Sequence, residues 1–193
     1  FVIVFSMSLI FCVVGLAGAT SLTFNDVDGF WDGVQAEGKV TLDGSDTFSY
    51  CVERSQHVSK GGLYDADIRA VDGEGYLKAA KLMAAFAPSL HGEYTTYSII
   101  QTGAALQLAI WKAVGIDVSD IEGDILTLAD TMLHAIDSLT VDISRIFYAD
   151  LGRNQDLLIA NPVPEPATML LFGCGLIGLA VVGRKKFHQG YNR

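Results

Sequence analysis

Cysteine is scarce in this chain, and its placement makes it scarcer. Of three cysteines, Cys12 and Cys174 lie in almost wholly apolar terminal segments, which leaves Cys51 alone in between. A disulfide within the central region is therefore excluded, and a lone thiol in an oxidising compartment asks for another explanation. Positive charge is also thin. Nine of the thirteen Lys and Arg but twenty-one of the twenty-two Asp and Glu fall between Thr20 and Ala160, a balance of −12. Phosphate repulsion at that charge excludes nucleic acid as a partner, while acidity of this kind keeps an extracellular domain soluble. His57, His91 and His134 are scattered with no second ligand at metal spacing, so neither a metal nor any other cofactor is expected. Pairs such as Asp26 with Asp28 and Asp65 with Asp67 lack full calcium-loop spacing and read as solvated turns. No internal repeat or low-complexity tract is present.

What the chain does have is two membrane-grade apolar segments. Phe1 to Ala19 ends in Ala17-Gly18-Ala19, the small-x-small pattern that signal peptidase needs before its cut. This predicts a signal peptide over 1–19. With no starting Met and no basic n-region, its front is expected to be truncated. Cys12 is not preceded by a small residue, which argues against a lipoprotein signal. The second segment, 167–183, would span about 25 Å as a transmembrane helix. Arg184, Lys185 and Lys186 follow at once and hold that end in the cytoplasm. Immediately before it stand Pro164, Glu165 and Pro166. A Pro-Glu-Pro motif, an apolar helix and a basic cluster in this order resemble the PEP-CTERM sorting signal. The resemblance covers roughly 161–187. It implies an inner-membrane intermediate, cleavage by an exosortase (a membrane cysteine protease), and delivery to the cell surface or extracellular matrix. A plain C-terminal anchor would leave the same topology.

Between these signals, 20–160 is expected to form one extracytoplasmic α+β domain, with short strands at both ends packed on a buried three-helix centre. Leu22 and Phe24, Val40 and Leu42, then Phe48, Tyr50 and Val52 alternate with polar neighbours as strands do, and Asp43-Gly44 suits a tight turn. Ser59 to Gly75 is rich in Gly and Asp and reads as a loop. Helices are predicted from Tyr76 to Ala87, ended by Pro88; from Ser98 to Val114, apolar nearly all round and so buried; and through Ile125, Leu128, Met132, Ala135 and Leu139. Two strand-like runs close the domain, Arg145 to Ala149 and Leu157 to Ala160.

Two residues sit against the pattern. Cys51 falls on the strand face opposite Phe48, Tyr50 and Val52. Gln107 lies inside Ala104-Ala105-Leu106-Gln107-Leu108-Ala109-Ile110-Trp111. An unpaired buried carboxamide costs on the order of 1–3 kcal/mol, so something must compensate it. Main-chain hydrogen bonds are the ordinary answer. Attack of the Cys51 thiol on the Gln107 amide, with loss of ammonia, is the other, and leaves an intrachain thioester given enforced proximity and a polarised carbonyl. Tyr50-Cys51-Val52-Glu53 and Gln107-Leu108-Ala109-Ile110-Trp111 resemble the cysteine and glutamine motifs of the thioester domains of Gram-positive surface adhesins, over about 48–114. Leu106 stands where that family usually has Thr. The resemblance implies that Cys51 and Gln107 are a bond-forming pair supported by Tyr50, Glu53, Ala109 and Trp111. It also implies a partner polymer bearing amines or hydroxyls, and a protein that is not an enzyme. Three other readings stand beside it. Cys51 can be a small buried hydrophobe in a passive envelope or matrix protein. It can make an intermolecular disulfide. It can be a hydrolase thiol served by His57 or His91, although no catalytic signature surrounds it.

Overall fold

The computed structural model describes residues 20–91 and 97–161. The proposed signal peptide, sorting motif, transmembrane helix and basic cluster lie outside them. Among the described residues no helix is long and apolar enough to cross a membrane.

The chain opens with β1 (Thr20–Val27) and a small hairpin, β2 (Phe30–Trp31) and β3 (Val34–Gln35), followed by β4 (Gly38–Leu42), β5 (Ser45–Cys51) and β6 (Gly62–Ala70). Helices α1 (Glu74–Phe86), α2 (Pro88–His91), α3 (Ile99–Ala113) and α4 (Asp124–Ile136) come next, and β7 (Ile146–Asp150) and β8 (Leu157–Ala160) return to the strands. Six strands close into an antiparallel barrel in the order β1-β4-β5-β8-β7-β6. Asp43 and Gly44, at φ 48° and 82°, turn β4 directly into β5. Two consecutive left-handed residues make the hairpin turn that follows the strand twist, which is why Asp-Gly occupies this site.

The barrel has a core of its own, and here the expected architecture is corrected. The strands are not merely packed on the helices. Leu22, Phe24, Val40, Cys51, Ala66, Ala149, Leu157 and Ile159 fill the barrel interior, while Phe48, Tyr50, Val52, Ile146, Leu158 and Ala160 point outward into a second core built with the helices. Neighbouring residues of β5, β7 and β8 thus serve opposite cores, as a period of two requires. All four residues of β8 are buried for that reason. Each large side chain so removed from water contributes about 1.5–3 kcal/mol.

The expected loop from Ser59 to Gly75 is also corrected, because most of it is β6, paired with β1 on one side and β7 on the other. Its inward residues Tyr64, Ala66 and Ile68 pack in the barrel, and its outward ones include Asp65, Asp67 and Arg69. Charge on the solvated face masks the alternation. The three main helices fall where their periodicity places them, with α4 stopping before Leu139, which is 43% exposed. α3 starts on a capping box between Ser98 and Gln101, and every residue from Thr102 to Trp111 is buried. It packs between α1 and α4 and against the β2–β3 hairpin and β5.

Candidate functional site

The site begins with a shortfall in the barrel. Along β5 the main-chain groups of successive residues point to alternate sides. Val52 N–H, just past the end of the strand, donates to Asp156 O on the β8 side. Cys51 faces the other way, towards β4, but that strand's pairing with β5 ends at Gly38 opposite Ser49. One buried N–H and one buried C=O are left without a strand partner.

Gln107 supplies it. Cys51 N–H donates to Gln107 Oε1 at 2.9 Å, and Gln107 Nε2 donates to Cys51 O at 2.7 Å. The carboxamide stands in for a missing peptide group of β4. Both oxygen and nitrogen are bonded to Cδ, so the amide carbon lies within about 4 Å of both main-chain groups. Gln107 is wholly buried. The fold therefore brings together the two residues singled out in the sequence, 56 positions apart. The contact runs through the main chain of Cys51. Its side chain, a free and buried thiol, belongs to the barrel core. Burial pushes that thiol up to about 12, so it is held neutral at physiological pH.

The spacing of α3 from the strands is set one turn earlier. Gly103, Gln107 and Trp111 are four residues apart and share a face. A Cβ on Gly103 would lie 3.1 Å from Glu37 N and 3.2 Å from Ala36 Cβ. The absent side chain lets the helix approach the β3–β4 connection closely enough for Gln107 to reach Cys51.

Glu37, which sequence reading passed over, is the second buried polar centre, only 1% exposed. Its carboxylate accepts from Tyr50 Oη at 3.1 Å and from the hydroxyl of Ser89. Burial raises its pKa, with the Ser89 and Tyr50 hydrogen bonds opposing, and burial followed by the Glu37 charge drives Tyr50 well above its ordinary value. The group joins the β3–β4 connection, β5 and α2 around the Cys51–Gln107 contact. With its pKa raised in the fold, the folded state binds more protons than the unfolded chain over the interval between the two values. The stability contribution is full at acid pH and declines as pH rises through the raised value. Carboxylates lowered by hydrogen bonds, such as Asp26 and Asp120, act in the opposite sense. The expected result is that Glu37→Gln gains stability relative to wild type as pH rises from acid to neutral, measured as the difference between their urea midpoints. A difference independent of pH would contradict this reading of Glu37.

The supporting residues occupy distinct places. Gln155 Nε2 donates to Glu53 O at 2.5 Å, pinning the chain after β5 to the turn before β8. Ala109 is fully buried in the helical core. Trp111 is 8% exposed, with the Arg54 guanidinium 5.7 Å from its ring centroid. Of the histidines, His57 is exposed, His91 contacts Ala84 O and His134 contacts Asp130 O. Asp26 and Asp28 are paired with Lys60 and Lys39, each at 2.5 Å. Among the described residues no group of three His, Cys, Asp or Glu side chains is placed to hold a metal ion.

Comparison with known proteins adds two findings. Residues 162–186 match the PEP-CTERM protein-sorting motif, the mark of an exported protein handled by an exosortase. The fold is similar to the N-terminal thioester domain of fibronectin-binding protein SfbI from Streptococcus pyogenes, at 15% identity and a TM-score of 0.52, covering 76% of this chain and 95% of that one. It is similar also to the N-terminal domain of the Streptococcus pyogenes pilus tip adhesin Cpa, at 16% identity and a TM-score of 0.51, covering 78% and 97%. No curated protein sequence matches the chain. A PEP-CTERM sorting signal is thus joined here to a domain with the fold of streptococcal adhesin thioester domains.

Proposed function

We propose that this exported protein is a surface adhesin in which Cys51 and Gln107 close into an intrachain thioester that captures a nucleophile on a partner polymer. Signal peptidase and an exosortase would process its ends, with 1–19 and 161–193 as the signal and sorting segments. The observation that carries the reading is the pair of hydrogen bonds between the Gln107 carboxamide and Cys51. The Cys51 N–H points at Oε1, where negative charge would develop on attack at Cδ, and so acts as an oxyanion donor. Bond formation requires the sulfur, which lies in the barrel core, to turn about χ1 towards Cδ. The Sγ–Cδ bond forms, the Cδ–Nε2 bond breaks, and ammonia departs with the thiol proton. Attack needs the thiolate, so the raised pKa of the buried thiol opposes this step, and the enforced proximity of the carboxamide must offset it. The bond is used once, so the protein is a covalent binder rather than an enzyme.

A second reading rests on the same atoms. The Gln107 amide is bonded to the main chain through both its oxygen and its nitrogen, and the Cys51 thiol is buried, which also suits a passive envelope or matrix protein. Intact mass separates the two. The adhesin reading expects a wild-type domain one ammonia lighter than its sequence, with full mass restored in Cys51→Ala and Gln107→Ala. A full-mass wild type that is inert to methylamine in fresh preparations would leave the passive reading.

A further inference from the structure

We propose that the groove beside the Cys51–Gln107 contact binds an uncharged, hydroxyl-rich ligand, a saccharide chain, and that a hydroxyl of this ligand is the nucleophile. The binding claim stands on the groove alone; the nucleophile claim rests on the thioester reading above.

The groove, about 270 Å³, lies between the β2–β3 hairpin turn, the residue Arg54 beyond β5, the C-terminal end of α3 and the loop before α4. Arg54 is three residues past Cys51. Trp111 is one helical turn, about 5.4 Å, beyond Gln107 on the same face. Neither Cys51 nor Gln107 lines the groove and both are buried, so a ligand held here sits about one helical turn along α3 from the carbon to be attacked. Val34, Ile121 and Trp111 form apolar wall, suited to the non-polar face of a sugar ring. Asp32, Asp120 and Glu122 bring three carboxylates against the single guanidinium of Arg54, which is forked onto Asp120 at 2.6 and 2.5 Å.

Three ligand classes are distinguished by these groups. An anionic polymer is repelled by the surplus of carboxylate. An ammonium is attracted, but it only donates hydrogen bonds, and Trp111 Nε1–H is a buried donor with no acceptor among the described residues. The same carboxylates would raise the pKa of a bound amine and keep it protonated, hence unable to attack. A neutral hydroxyl both accepts and donates. It can take the indole N–H once Arg54, which stacks on the ring and is held at the surface by Asp120 and by Asp117 O at 3.2 Å, moves aside, and it can donate to Asp32 and Glu122. In the covalent step the hydroxyl oxygen bonds to Cδ of residue 107 as the Cδ–Sγ bond breaks. The hydroxyl proton passes to the Cys51 sulfur, leaving an ester and a free thiol.

The test uses the full chain carrying Trp31→Phe, so that Trp111 is its one fluorescent indole. Neutral gluco-, manno- and galacto-oligosaccharides, a polyuronate and polylysine are each titrated against it. The expected result is a saturable emission change with at least one neutral oligosaccharide, retained in Cys51→Ala and weakened about tenfold or more by Asp32→Asn combined with Glu122→Gln. Binding by none of the neutral sugars, tighter binding of polyuronate or polylysine, or equal binding by the double variant would each overturn the proposal. Sugar binding to a chain of full mass would leave the groove standing and remove the bond. Ammonia loss without sugar binding would do the reverse. Where both occur, the covalent product should be cleaved by hydroxylamine as an ester is, and a resistant amide product would overturn the hydroxyl assignment.

Discussion

Replacing Gln107 by leucine in a Cys51→Ala background is expected to destabilise the domain by at least about 2 kcal/mol, read as a drop in the urea midpoint at unchanged slope. The background removes any covalent contribution, so the loss reports the non-covalent role of the side chain alone. The magnitude follows from the two main-chain groups of residue 51, both buried and both partnered only by the carboxamide on that side. Each buried group left unsatisfied costs about 1–3 kcal/mol, and leucine has nothing to offer either. Water cannot easily take over, because the side chain of Gln107 is sealed between strand and helix. Amide exchange at residue 51 should accelerate in the same variant. A midpoint within error of the background would mean that the strand end relaxes without the glutamine, and the surrogate-peptide role would be lost.

The second large effect is expected at Gly103. Valine there adds two Cγ methyls to a Cβ that already lies 3.1 Å from a main-chain nitrogen of Glu37, an atom fixed by the β3–β4 connection and unable to rotate away. Overpacking of this kind costs about 1–3 kcal/mol. The sharper signature is positional, because α3 must move out or tilt, drawing Gln107 away from Cys51. Loss of protection at the Cys51 amide, and of the ammonia-deficient mass if wild type shows it, should accompany the destabilisation. Alanine is the control. Its lone methyl needs a shift of only a few tenths of an ångström, and its better helix propensity offsets up to about 1 kcal/mol. Valine and alanine variants of equal stability and equal Cys51 protection would show that the close approach of α3 is not what sets the contact.

Much of this was legible from residue patterns because one physical signal dominated locally. The run from Ala104 to Trp111 has polarity only at Gln107, so a buried helix with one polar group in need of a partner follows directly. What the pattern did not disclose was the partner, since main-chain atoms leave no compositional trace. Residue 51 was identified by its lone thiol, yet it meets the glutamine through its peptide groups. β6 was hidden because alternation depended on Tyr64, Ala66 and Ile68 while Asp65, Asp67 and Arg69 filled the intervening positions with turn-like charge. Glu37, between Ala36 and Gly38, carries no periodic signature. Only the fold shows that Tyr50 and Ser89 converge on it. Trp111 was expected in the core and is nearly that, but its edge also walls a groove assembled from four separate segments.

The place of β8 in the barrel bears on how a tethered molecule carries load. The chain leaves the domain at Asn161 from a strand flanked by β5 and β7, and β8 runs antiparallel to β5 with Ser49 opposite Ile159 and Cys51 opposite Leu157. If the tail is held at the cell and a partner is held at residue 107, tension enters at the far end of β8 and leaves near the opposite end of the β5–β8 ladder. Such a pull runs along the strands rather than across them, so the ladder's hydrogen bonds are strained together instead of opening one at a time.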